Sequence, residues 1–162
     1  MVPINAIKRR KGERGAELIE FALVFPLLLF IILGIVDFGF LFQRMEVVTN
    51  AAREGARVGV LPGYAQADVQ ARVTQYIQAG GLPTAGGKLL TPTACQTTIT
   101  VTSGPPPVTV QAVQVGVTYY HDYMFLGGMM SWFGGTGFSS VPVKGRAVMR
   151  DEDPTTTLPA CP

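Results

Sequence analysis

From Leu18 to Val36 the chain is apolar at every position but one, nineteen residues among which Glu20 carries the single charge. At about 1.5 Å of rise per residue, such a run spans about 28 Å as a helix, close to one hydrocarbon core. The pattern predicts a membrane-spanning helix, and it changes character at Asp37 without breaking. Beyond Asp37, the residues Phe38, Leu41, Phe42, Met45, Val48, Ala52 and Ala56 recur at three- and four-residue steps. Arg53 and Arg57 share the polar side with Glu46 and Glu54 nearby, and no proline intervenes until Pro62. This is the spacing of a helix with one apolar face. One continuous helix of about 45 residues, half in lipid and half in water, is therefore expected. Pro26 withdraws a backbone donor inside it and predicts a kink.

A second helix is predicted from Gln66 to Ala79, with Asp68 near its start and Val69, Val73, Tyr76 and Ile77 as its apolar stripe. Gly80 and Gly81 end it. After a Pro/Gly-rich loop the periodicity changes to two. Thr98 to Thr102 alternates threonine with Ile99 and Val101, as a half-buried strand does. Pro105 to Pro107 break the chain. Val108 and Val110 then begin a strand whose apolar parity shifts to Val113, Val115, Val117 and Tyr119, which predicts a β-bulge near Ala112. A last strand runs from Val141 to Arg150, with Pro142 placing its start at an edge or outside the ladder. The fold class is α+β: a long N-terminal helix, a short second helix and a small, mostly antiparallel β-sheet domain. The chain divides into a basic head (1–15), a transmembrane helix (16–37), an amphipathic extension (38–62) and a small α+β extracytoplasmic domain (63–162). It contains no internal repeats.

Charge sets the orientation. The net charge of +2 over 162 residues is unevenly placed, with Lys8, Arg9, Arg10, Lys11 and Arg14 facing only Glu13 in the head. A basic flank beside an apolar run puts the amino terminus in the cytoplasm and everything after Asp37 on the far side. The head is too short and too close to the membrane to argue for nucleic acid. The run exceeds the 7–15 apolar residues of a removable secretory signal, and no A-x-A-like site follows, so a signal-anchor is expected. Both cysteines, Cys95 and Cys161, then lie in an oxidising compartment. They either form one disulfide or remain two free thiols. The bond would close a loop of 66 residues, worth on the order of 4 kcal/mol in the chain-entropy model. Two cysteines beside a single histidine, His121, make no zinc set. There is no G-x-S-x-G and no phosphate loop. The expectation is no catalytic residue, no metal and no cofactor.

Several constellations remain. At the membrane border, Gly15 keeps the backbone open to a protease and Ala16 would give a small new amino terminus. Glu20 lies one turn into lipid, where a carboxylate costs a few kcal/mol unless it finds a partner. The new α-amine of a neighbouring chain would be one. The junction therefore reads as processing at Gly15-Ala16 followed by lateral assembly guided by Glu20, or as a plain anchor whose Glu20 reaches the headgroups. Ala51, Gly55 and Gly59 lie four apart, and Ala52 and Ala56 form a second such pair. Small residues at this spacing admit a close neighbour, either another subunit's helix or the chain's own sheet. Asp37 marks the outer headgroup boundary or pairs with Arg44 of a neighbouring helix. The aromatic and methionine-rich stretch from Tyr119 to Gly135, with Met129, Met130 and Trp132, suits a water-lipid interface, a protein contact or a loop over the core. His121 reads as an ordinary structural residue.

Taken together, the basic head, the G-A-x-x-x-E-F start, the proline-interrupted apolar helix, the D-F-G exit and the N-A-A-R-E-G-A-R helix resemble the TadE-like family. These are pseudopilin-type components of the tight-adherence (type IVc) pilus system. The resemblance is strong over about residues 8 to 60 and holds only in outline beyond, as a small β-domain closing on the strand Gly145 to Arg150. It implies that Gly15 and Ala16 flank the cut of a membrane aspartyl prepilin peptidase at the cytoplasmic face. It further implies that Glu20 and Phe21 are the acidic-aromatic pair associated with such peptidases and assembly platforms. The implied role is non-enzymatic, in assembling or anchoring adhesive fimbriae from the bacterial inner membrane. The implied partners are other pilus or assembly subunits, the peptidase where cleavage occurs, and the lipid bilayer, in a homo- or hetero-oligomer. A minor structural pilin carried in the filament is one alternative. A membrane-tethered binding module unrelated to pili, with its junction uncut, is the other.

Overall fold

The computed structural model describes residues 10–101, 106–132, 134–135, 140–151 and 158–162. Lys8, Arg9, Thr102 and Pro105, and the side chains of residues 10–14, Met130 and Trp132, lie outside what is described.

The helix α1 runs unbroken from Arg10 to Gly59, passing through Pro26 and across Asp37. Among the described residues nothing covers it from Gly15 to Val36 except in part at Phe30, Leu33 and Gly34, and Leu18, Phe21, Leu23, Leu27 and Ile35 are among its bare side chains. Its second half carries the domain. A shorter helix, α2 (Gln66–Ala79), packs alongside through Val69, Val73 and Ile77. Asp68 opens α2 by accepting the Ala65 N–H at 2.8 Å. Gly81, in the left-handed region at φ 75°, closes it as the two glycines predict.

Both helices pack against one face of a three-stranded antiparallel sheet in the order β1-β2-β3. The strands are β1 (Thr93–Val101), β2 (Val108–Asp122) and β3 (Ser140–Arg150). The α+β fold expected from the sequence is the one observed. Central β2 sends Val113, Val115, Val117, Tyr119 and His121 into the core. A seven-residue helix, α3 (Leu126–Trp132), lies in the β2–β3 connection. Pro142 is accommodated because β3 is an edge strand, pairing with Tyr120.

Two expectations are corrected. There is no bulge at Ala112: the β1–β2 register runs evenly from Thr93↔Gly116 to Val101↔Val108, and β2–β3 evenly from Ala112↔Arg150 to Asp122↔Ser140. The parity shift has another cause. Val108 and Val110 lie on the opposite face of the sheet, and Val108 is exposed. The second correction concerns α1, where Phe38, Phe42 and Met45 are not on the buried face. That face follows Asp37, Leu41, Arg44, Val48, Ala51, Ala52, Gly55 and Gly59. At about 100° per residue, the three large side chains sit a quarter-turn or so to one side of it. The sheet approaches α1 too closely for bulk, so small residues occupy the contact.

Candidate functional site

The junction residues Gly15 and Ala16, with Glu20 and Phe21, sit on the bare arm of α1. A side chain added at Gly15 would meet nothing within 4 Å. The Phe21 and Phe25 rings stack 5.2 Å apart along the helix. The arm thus presents the carboxylate of Glu20 amid exposed apolar surface, with no partner from the domain among the described residues.

The small-residue stripe has a different fate. Ala51, Ala52 and Ala56 are fully buried within the chain's own core. A Cβ on Gly55 would fall 2.5 Å from Val73 Cγ2 of α2, and one on Gly59 would fall 2.9 Å from Val113 Cγ1 of β2. Of the two neighbours this spacing admits, the domain itself takes the place. Glu54 likewise turns inward, accepting from Arg72 of α2 at 2.7 and 3.1 Å.

Where α1 leaves the apolar run, a polar clasp holds the arm to the domain. Asp37 is fully buried, and its two oxygens accept the backbone N–H groups of Met124, Phe125 and Leu126 at 3.1, 2.9 and 2.7 Å. Those amides open α3, so the carboxylate meets the donors that a helix start leaves unpaired. Two turns on, Arg44 donates to His121 Nδ1 at the end of β2. The His121 ring packs edge-on against Tyr123 at 5.1 Å, and Tyr123 in turn meets Phe38 at 6.5 Å. Lys88 pairs with Asp122 beside them. Neither Asp37 nor His121 stood out in the sequence as a structural centre, because each reads as a boundary charge or a filler when taken alone. The recoverable signal was positional: Asp37, Leu41, Arg44 and Val48 fall on the line that buries Ala52, Gly55 and Gly59.

Burial pushes the His121 imidazole below its ordinary value, and the facing Arg44 cation pushes it the same way, outweighing Asp37 and Asp122. Since Nδ1 accepts from Arg44, the ring proton sits on Nε2, which has no partner among the described residues. Burial also raises the Tyr119 phenol, against the pull of Arg44 and Lys88. The consequence for stability has a definite sign. Above pH about 6.5, His121 is neutral whether folded or unfolded and contributes no pH dependence. Below it, the unfolded chain gains a proton that the fold resists. Stability is expected to fall as pH drops from 6.5 to 5.5, with a limiting slope of about 1.4 kcal/mol per pH unit. Thermal unfolding in detergent across that range checks it, and the slope should flatten in His121→Gln.

Cys95 and Cys161 are joined in a disulfide, their Cα atoms 4.9 Å apart. It fastens the tail beside β1, where the Gln96 N–H donates to the Pro159 carbonyl and the Cys161 N–H to the Gln96 carbonyl. Neither sulfur is therefore available as a thiolate ligand.

Residues 15–57 match the family model described as TadE-like protein. No curated protein and no solved structure matches the chain. The matched stretch is α1 from the junction through the clasp to the small-residue stripe, and it is over this helix that the chain is similar to the TadE-like family.

Proposed function

We propose that the protein is a non-enzymatic, single-pass component of a tight-adherence pilus system. It acts in pilus assembly or anchoring through contacts of its amino-terminal helix with other subunits in the inner membrane. The observation that carries this reading is the coincidence of the family match, residues 15–57, with a helix whose first half the domain leaves bare and whose second half it consumes. Subunit contacts therefore fall to the arm, not to the Ala51–Gly59 groove. The basic head favours a cytoplasmic amino terminus, with the α+β domain outside. Cleavage by a prepilin peptidase at Gly15-Ala16 would free an α-amine able to meet Glu20 of a neighbour.

A minor pilin would use the same arm in the same way, but within the filament. The test is assembly in cells carrying the peptidase. The mature chain is expected to begin at Ala16, and Glu20→Ala is expected to insert normally while lowering pilus output. An intact head on the isolated protein would end the processing proposal. Wild-type piliation with Glu20→Ala would remove that carboxylate from assembly.

A further inference from the structure

The clasp changes where the bilayer meets this chain. Judged by charge alone, the span ends at Asp37, and Glu20 lies inside it. In the structure Asp37 is no longer a surface charge, because all of it is buried against the amides of Met124, Phe125 and Leu126. With Asp37 withdrawn, the surface of α1 from Phe21 to Phe42 presents no charge over 22 residues. That stretch is about 33 Å long at 1.5 Å per residue, enough to cross a hydrocarbon core of about 30 Å, and unlike the run that begins at Leu18 it does not hold Glu20.

The side chains beyond Asp37 agree. Phe38 is 48% exposed, Phe40 39% and Phe42 66%. Beside them Met124, fixed to Asp37 through its backbone N–H, is 62% exposed. These groups continue the bare face of the arm without a step. The first polar groups past them are Gln43, Arg44 and Glu46.

We infer that the bilayer covers α1 from Phe21 to Phe42, with the start of α3 seated in the outer leaflet and Glu20 brought to the inner headgroup boundary. Asp37 then lies at membrane depth as an internal polar contact, its charge met by backbone donors that would themselves need partners there. The occupant of the Phe38–Phe42 and Met124 surface is lipid. The clasp is what lets a carboxylate sit inside the apolar span.

This inference rests on the membrane reading of α1 given above, so its test separates the two. Leu28→Cys, Phe42→Cys, Met124→Cys and Glu46→Cys, each replacing an exposed side chain and keeping the native disulfide, are spin-labelled. The full chain is then reconstituted in phosphatidylethanolamine/phosphatidylglycerol vesicles, and collisions with oxygen and with a water-soluble nickel chelate are measured. Labels at 28, 42 and 124 are expected to lose nickel collisions and gain oxygen collisions, with 46 showing the reverse. Nickel access at 42 or 124 with 28 in lipid overturns the inference and leaves the anchor standing. Nickel access at 28 as well removes the anchor too. Shielding of 42 and 124 from both agents identifies a protein neighbour instead of lipid and likewise overturns it.

Discussion

Asp37→Ala is expected to release the β2–β3 connection from α1 and to cost about 3 kcal/mol of stability. Three backbone N–H groups now end on that one carboxylate, two of them at 2.9 and 2.7 Å on Oδ2. Alanine offers no acceptor, and the Met124, Phe125 and Leu126 amides are held by the turn into α3 where they stand. Hydrogen bonds to a charged group contribute about 1.5–3 kcal/mol each, and a buried donor left unmade costs about 1–3 kcal/mol. The sum is smaller than three such terms because the released segment can move to find water or lipid headgroups. The loss should be concentrated locally, with amide exchange accelerated at residues 124–126 far more than in β2. Asp37→Asn should fall between, since one oxygen still accepts while the amide nitrogen faces a donor. Unchanged exchange protection in Asp37→Ala would mean that α3 is held by something other than this carboxylate.

The same residue shows how far the sequence could be read. The long helix, the short helix, the strands and the edge position of β3 are all written in local periodicity and in glycine and proline placement, which need no knowledge of neighbours. The face that α1 buries is not. Hydrophobicity alone selected Phe38, Phe42 and Met45, whereas the sheet selected smallness and admitted Asp37 and Arg44 because β2 and the start of α3 supply their partners. Those partners lie 77 and 87 residues away along the chain. A polar residue's burial depends on what the distant chain brings to it, so no window around Asp37 could reveal it. The arm is the reverse case. Gly15, Ala16, Glu20 and Phe21 are exposed on a helix that local hydrophobicity alone predicts, so no distant part of the chain was needed to place them.

This division has a mechanical sense. The matched helix is one rod, held to its domain by the clasp at one level and by the close-packed stripe at another. A pull or rotation applied to the arm would therefore pass to the sheet, with no hinge between Asp37 and Gly59 among the described residues. Rigidity of the coupling depends on how closely β3 lies on α1, and one position measures that distance.

Gly145→Ala is expected to destabilise the domain by about 3 kcal/mol, more than the same change at Gly55. A Cβ at Gly145 would stand 2.6 Å from the Val48 carbonyl oxygen, 2.9 Å from its carbon and 3.1 Å from Thr49 Cα. All three are backbone atoms of α1, so no side-chain rotation relieves the contact, and the helix must shift off the edge strand. Overpacking of this kind costs about 1–3 kcal/mol, or more where the obstacle cannot yield. At Gly55 the obstacle is Val73 Cγ2 at 2.5 Å, a side-chain atom on the shorter helix. Alanine there also gains about 1 kcal/mol of helix propensity over glycine, which offsets part of the clash. Denaturant unfolding of the full chain in detergent should therefore place the midpoints in the order wild type, Gly55→Ala, Gly145→Ala. The spacing of the Asp37 contacts should loosen as well in Gly145→Ala, read as faster exchange at Leu126, because α3 precedes β3 in the chain and both pack on α1. A Gly145→Ala protein as stable as wild type would show that α1 is free to slide on its sheet, and that force on the arm stops at the clasp instead of reaching the strands.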